Sequence, residues 1–378
     1  MRQILMVFFL MFSSIIVTNK VLSQSDLPFF LRNASNQDLI QVEEIDVSEK
    51  LRQLVVVTWR ASFTPQEQEQ LFHNLRENKV GTVLIDETDL MLLENKVKSL
   101  RSLNTNYPLL IGLHTPFYLL NAEDVFSLPS PRSIAANENN EKVLQLYNYR
   151  LQLLGEIGVD FFLLDGALDE QMNSSLNGIH LFGSDPLRAG QIISDIIRMS
   201  EKHGMMAMLK GFSGEGFAEI LKDYQFPVNK RNLTELKIMD WIPFQMARLR
   251  GLSMIQTSSI ALPAITGDYK ASGLAKKFVK DQLILDLGFK GLTISPSLRS
   301  NWLKNDFGNA LNLLQAFEAG NDMLVDPVDI DHDVQFLAEK ILGDIALLDQ
   351  LNSSFSKVIQ AKAHAAKRKS QKEAKLND

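Results

Sequence analysis

Asp160-Phe161-Phe162-Leu163-Leu164-Asp165 sets four apolar side chains in a row between two carboxylates. A strand with one face in water alternates apolar and polar residues. An unbroken apolar run this short reads instead as a strand covered on both faces, as in a parallel sheet. Its neighbours agree, because Glu141–Ile157 before it and Pro186–His203 after it carry apolar residues at helical spacing. The same unit recurs along the chain. Comparable runs are Leu54–Thr58, Thr82–Ile85, Leu109–Leu113, Met205–Leu209, Leu252–Thr257, Leu292–Ser295 and Asp322–Val325. Amphipathic stretches separate them at Pro65–Asn78, Leu90–Leu103, Leu274–Leu287, Asn305–Ala319 and Asp333–Leu348. Thr64-Pro65 and Ser184-Asp185-Pro186 are helix starts, an N-cap oxygen followed by proline in the first turn. Gly204, Gly288 and Gly320 stand where helices should stop. Eight strands alternating with helices predict an α/β fold, a (β/α)8 TIM-type barrel in a single domain. An open doubly wound sheet is the alternative, but no glycine-rich phosphate loop follows the first strand.

Composition narrows the chemistry. The 378 residues include 39 Lys and Arg against 45 Asp and Glu, a net charge of −6, which argues against general nucleic-acid binding. The chain has no cysteine, which excludes disulfides, thiolate nucleophiles, iron–sulfur clusters and a lipid-modified cysteine anchor. Neither a His-x-Glu nor a His-Glu-x-x-His spacing occurs, so nothing positive supports a metal, and no cofactor is expected.

The ends differ from the middle. A charged Met1-Arg2-Gln3, the apolar Ile4–Val17 and Val21-Leu22-Ser23 before Gln24 form the pattern of a secretory signal peptide over residues 1–23. Its apolar run is shorter than the roughly 20 residues a spanning helix needs. The expectation is a periplasmic or extracellular protein with no transmembrane segment after cleavage. Residues 24–362 then form the barrel domain, and 363–378, with Lys367-Arg368-Lys369, a basic solvated tail.

In such barrels the chemistry lies at the carboxyl ends of the strands. Those ends deliver Trp59, Asp86, His114, Asp165, Lys210, Ser258, Pro296 and Asp326. Asp165 is the clearest carboxylate there, or else a cap for the following turn. Lys210 suits an anionic or hydroxyl-rich ligand or an imine, or else a structural ion pair. His114 reads as an acid, a base, a ligand or a plain hydrogen-bonding group.

The ordered motifs carry a resemblance. Phe182-Gly183-Ser184-Asp185-Pro186, Lys210-Gly211-Phe212-Ser213-Gly214-Glu215-Gly216, Leu287-Gly288-Phe289-Lys290-Gly291-Leu292-Thr293-Ile294-Ser295 and Ala319-Gly320-Asn321-Asp322-Met323-Leu324 resemble, in order and spacing, segments of glycoside hydrolase family 3. The likeness is to its bacterial β-N-acetylglucosaminidases, which trim peptidoglycan fragments, and covers about residues 35–362. It implies a barrel fold and a retaining mechanism with a carboxylate nucleophile on Ser-Asp-Asp or Ser-Asp-Ala after the seventh strand. This chain has Ser295-Pro296-Ser297, so the nucleophile position falls on Pro296. The family's acid/base histidine has no counterpart in Leu221-Lys222-Asp223-Tyr224. Of its sugar-holding Lys-His pair, Lys210 remains and Gly211 replaces the histidine. The second loop histidine becomes Glu215. The family's Asp-Gln-Glu-Gly-Gly aligns with His114-Thr115-Pro116-Phe117, and its arginine falls near His180.

Two functions follow as expectations. The first is a secreted, non-catalytic glycan- or protein-binding pseudoglycosidase of the cell envelope, with His114, Asp165, Lys210, Phe212 and Glu215 lining the site. Its partners would be a peptidoglycan fragment, another N-acetylglucosamine-containing glycan or an envelope protein, and no nucleic acid. The second is an active β-N-acetylhexosaminidase-like glycosidase with relocated carboxylates, Asp165 and Glu215. Imine chemistry at Lys210 is a remoter third.

Overall fold

The computed structural model describes residues 27–32, 44–121, 128–137, 140–168, 181–221, 226–300, 303 and 309–377. The expected signal peptide lies outside them. Eight parallel strands form the central sheet: β1 (Val55–Arg60), β2 (Thr82–Asp86), β3 (Leu110–Leu113), β4 (Phe161–Asp165), β5 (Met206–Phe212), β8 (Met254–Thr257), β9 (Leu292–Ile294) and β10 (Leu324–Val325). They run in the order β10-β1-β2-β3-β4-β5-β8-β9, and an Ile294–Met323 bridge with a 2.9 Å bond from Ser295 N–H to the Met323 carbonyl brings the two edges together. The sheet is the expected barrel, each strand within about two residues of its sequence reading except at the mouth end of β5.

The helices follow from local signals. Helix α1 (Val47–Leu54), which the sequence reading missed, is capped by Asp46 and runs straight into β1. Helix α2 (Pro65–Arg76) starts on a capping box between Thr64 and Glu67. The other large helices are α3 (Leu90–Arg101), α4 (Glu141–Ile157), α5 (Pro186–Lys202), α6 (Trp241–Leu249), α7 (Asn309–Ala319), α8 (Ile330–Leu342) and α9 (Ile345–Asn377). Asp185 accepts bonds from the Leu187 and Arg188 amides and so fixes the start of α5. The amphipathic stretch expected as one helix at Asp333–Leu348 breaks at Gly343, because the Asp344 side chain caps a new helix through the Ala346 and Leu347 amides. The stretch Leu274–Leu287 forms one α turn and then a π-helical segment, Val279–Asp286. A short antiparallel hairpin, β6 (Glu219–Leu221) and β7 (Phe226–Val228), interrupts the alternation after β5 and had no clear sequence signal.

A continuous apolar core fills the barrel and the seam beneath the helices. Each of its buried Leu, Ile and Phe side chains contributes roughly 1.5–3 kcal/mol. At the amino ends of the strands two buried aspartates tie α9 to this core. Asp322 accepts bonds from Thr293 N–H and Oγ1, Ser354 Oγ and Lys357 Nζ, all within 3.0 Å. Asp160 accepts from the Ile111 amide, Arg101 and Arg368. The segment expected as a solvated tail therefore does not begin at residue 363. The helix continues through it, Ala365 is buried, and Arg368 reaches the Val159 carbonyl and Asp160. A buried carboxylate needs a cation, and Arg368 supplies one from a sequence that looks merely basic.

Candidate functional site at the barrel mouth

Arg60, Asp86, His114, Asp165, Lys210 and Ser258 stand at neighbouring strand ends, each carried by the parallel pairing that puts Arg60 beside Asp86 and Asp165 beside Lys210. Asp86 and His114 are the exposed members, each side chain 43% accessible, with Nδ1 of His114 3.8 Å from the Asp86 carboxylate. Thr115 Oγ1 donates to Asp86 at 2.7 Å. The His114 ring, with help from Thr115, holds the Asp86 carboxyl down at about 2, against the effect of its partial burial, so it is an anion at any ordinary pH.

Deeper in, Lys210 pairs with Asp165 and feels the charge of Glu215. Its Nζ is 3.4 Å from Asp165 Oδ1, an ion pair whose geometry falls short of a hydrogen bond. Glu215 also acts on Lys210 electrostatically, and Glu215 Oε1 accepts from Ser258 Oγ at 2.6 Å. Burial pushes the Asp165 and Glu215 carboxyls up, and Lys210 only partly opposes this. The Asp165 charge in turn holds the Lys210 ammonium above its ordinary value. An imine-forming lysine needs the reverse, an amine made available by a depressed pKa, so the geometry speaks against that chemistry.

Glu215 reaches this position through its loop. Trp241 Nε1 donates to Ser213 Oγ at 3.0 Å, Asn229 Nδ2 to the Gly214 carbonyl at 2.9 Å, and the Arg231 guanidinium lies 3.4 Å above the Phe217 ring. Gly211 has φ +81, and a Cβ there would stand 3.0 Å from Glu215 Oε2. The missing side chain at 211 therefore leaves the room that the Glu215 carboxylate fills.

Two expected mouth residues are elsewhere. Phe212 is fully buried, packed against Trp241, Phe244 and Phe278, and presents no ring face to a ligand. It follows Lys210 by two residues on an extended strand and so could share its face, but a register irregularity between Lys210 and Phe212 breaks that alternation. Trp59 is 4% exposed, edge-on to Phe72 and under Lys96. Arg60 takes its place at the end of β1. The sequence reading stopped short of it because Trp59-Arg60 ends the apolar run.

Pro296 is buried immediately after β9. A Cβ on Gly273 would fall 2.7 Å from the Pro296 ring and 2.8 Å from the Ser258 carbonyl, so the proline and the Glu215 partner Ser258 flank the same glycine. Ser297 Oγ donates to Asp326 at 2.8 Å. Asp326 also accepts from Thr58 N–H, Thr58 Oγ1 and Arg60, and with this full complement it fastens β10 to β1. His180 and residues 222–225 of the Leu221–Tyr224 segment lie outside the described residues. Among the described residues, no three His, Asp or Glu side chains are grouped to hold a metal ion. No helix among them is long and apolar enough to cross a membrane.

The comparisons with known proteins fit this geometry. A family model described as the glycosyl hydrolase family 3 N-terminal domain matches residues 46–361. A β-hexosaminidase of Pseudomonas aeruginosa is 29% identical over 199 residues, 52% of this chain and 58% of the relative, so the match spans a little over half of that protein's length. Among solved structures, β-N-acetylhexosaminidase from Beutenbergia cavernae superposes with a TM-score of 0.73 at 17% identity, covering 85% of this chain and 99% of that one. The β-N-acetylglucosaminidase from Thermotoga maritima gives 0.67 at 20% identity, over 83% and 67%. At such identities these two establish likeness of fold.

Proposed function

The chain belongs to the family of glycosyl hydrolase family 3 N-terminal domains, and from that premise we propose that it is a non-catalytic carbohydrate-binding member working in the cell envelope. The observation that carries the reading is Pro296. A retaining glycosidase must place a carboxylate against the anomeric carbon to trap an oxocarbenium-like transition state. Pro296 offers no such oxygen. Ser297 beside it is engaged with Asp326, whose own oxygens are occupied by Thr58 and Arg60. His114, Asp165, Lys210 and Glu215 remain as groups to hold sugar hydroxyls or amides, and Asp86 joins them. An N-acetylglucosamine-containing glycan such as a peptidoglycan fragment is the ligand class this reading favours over an envelope protein. Residues 1–23 would act as the export signal and 24–362 as the binding domain.

The test pairs two measurements. Purified protein is expected to release no chromophore from a nitrophenyl N-acetylglucosaminide above buffer, yet to give a saturable heat of binding with chito-oligosaccharides or muropeptides. Turnover would overturn the non-catalytic half, and absence of any binding would overturn the other. One observation favours the rival reading of an active hydrolase. Burial pushes both Asp165 and Glu215 up, as a general acid requires. Turnover abolished by both Asp165→Asn and Glu215→Gln would establish it.

Pro296→Asp separates frame from chemistry. The variant is expected to fold, with a thermal midpoint lowered by only about 2–4 °C, and to remain inactive on the same chromogenic substrate. Restored turnover from this single change would mean that an acid/base group is already in place.

A further inference from the structure

A separate cavity of about 110 Å3 lies where the carboxyl ends of β1 and β10 meet α2 and the start of α8. None of Asp86, His114, Asp165, Lys210 or Glu215 lines it. Its lining is apolar at Val57, Phe63, Leu71 and Ile330 and cationic at Arg60 and Arg299. Arg60 gives Nη2 to Asp326 at 2.7 Å, and its other nitrogens make no bond among the described residues. Arg299 donates Nε and Nη2 to the Pro327 and Val328 carbonyls. Among the described residues, no carboxylate stands within ion-pair distance of it. Asp326 cannot serve it, because its oxygens already accept from Thr58, Arg60 and Ser297. Glu67, on the exposed rim, feels the charge of both arginines, but its Oε2 is taken by the Thr64 amide and hydroxyl. Gln70 donates Nε2 to Asn74 Oδ1 at 3.1 Å, which leaves the Asn74 amide nitrogen as a further donor on the lining.

We propose that this cavity binds a carboxylate carried on a short aliphatic stem, such as the end of an acylated amino acid, with the carboxylate against Arg299 and Arg60 and the stem against Val57, Leu71 and Ile330. A guanidinium on an open surface needs only water. Here it borders a concave apolar lining, the combination that small-molecule sites share. The volume holds several waters, or the carboxylate and first carbons of a small acid. The fork of an arginine meets a planar carboxylate through two parallel N–H donors. Sulfate or phosphate would leave the apolar lining uncovered and, as a dianion, would bring more negative charge beside Asp326 and Glu67. The proposal goes beyond carbohydrate binding and does not depend on it, since the cavity shares none of the groups assigned above to a sugar.

The experiment is a ligand-observed NMR titration of the full chain, at neutral pH, with N-acetylalanine and with N-acetylalaninamide, which lacks the charge. The acid is expected to saturate with a Kd on the order of 1 mM, and the amide to bind at least about tenfold more weakly. Arg299→Gln is expected to weaken binding of the acid about tenfold and to leave the amide unchanged. Ile330→Trp fills the cavity from its apolar side and is expected to abolish binding, so a folding defect in either variant leaves the other to decide. No saturation by about 20 mM acid, equal binding of acid and amide, or an affinity untouched by both variants would overturn the proposal. Inorganic phosphate binding more tightly than the acid at the same place would also overturn it, marking a site for a bare anion. Glycan binding does not enter these results, so either reading can fall alone.

Discussion

Asp322→Ala is expected to destabilise the fold by about 3–5 kcal/mol, the cost of breaking a buried ion pair by removing one partner. The Asp322 side chain is 5% exposed and is the hub for Lys357, Ser354 and Thr293. Without it, the half-buried Lys357 loses its anion, Ser354 Oγ and the Thr293 amide lose their acceptor, and the Thr293 hydroxyl is left with the Gly320 carbonyl. The loss is a large part of the 5–15 kcal/mol that separates folded from unfolded states in a typical domain. Urea unfolding followed by tryptophan fluorescence would measure it as a lower midpoint. A double variant, Asp322→Ala with Lys357→Met, should recover part of the loss, because the stranded charge goes with it. A single variant within 1 kcal/mol of the parent protein would show that water reaches this site and that the network carries little.

The opposite sign is expected at Lys362. This lysine is 2% exposed and donates to Gln53 Oε1 at 2.6 Å. Burial with no compensating anion pulls its ammonium down from 10.5 to about 7. In the unfolded chain it titrates near its ordinary value. Between about pH 7 and pH 10 the unfolded state therefore binds the proton that the folded state has released, and stability rises with pH across that window. Below about 7 both states are protonated and the full penalty of roughly 4–5 kcal/mol is present. Lys362→Met removes the penalty but strands the buried Gln53 oxygen, worth about 1–2 kcal/mol. The net expectation at neutral pH is a gain of roughly 2–3 kcal/mol, together with a flatter stability profile between pH 7 and pH 10. Denaturant midpoints for both proteins across that range decide the matter. Parallel profiles would mean that Lys362 stays charged in the folded protein.

The barrel was legible in the sequence because both faces of its strands are covered, which forces continuous apolar runs such as Phe161–Leu164 and Val83–Ile85. Helix starts at Thr64-Pro65 and Asp185-Pro186 were legible because capping is local chemistry. What was not legible depends on distant partners. Arg368 looks like part of a basic run and becomes structural because it joins Arg101 on Asp160, more than two hundred residues earlier, and donates to the Val159 carbonyl. Phe212 reads as a mouth aromatic until a register irregularity turns it inward. Asp165, Lys210 and His114 stand at one end of the barrel, as strand-end placement foretells, and Glu215 joins them from the loop after β5. Their order of burial, and the pairing of Glu215 with Ser258, depend on a loop whose anchors at Trp241, Asn229 and Arg231 no spacing rule would join.

Helix α9 brings a consequence for biosynthesis. Ser354, Lys357 and Arg368 are made after every strand of the sheet, and the aspartates they meet, Asp322 and Asp160, emerge from the ribosome earlier. Until α9 arrives, Asp322 stands without its lysine and Asp160 with Arg101 alone. The base of the barrel is thus completed only after α9 has been made.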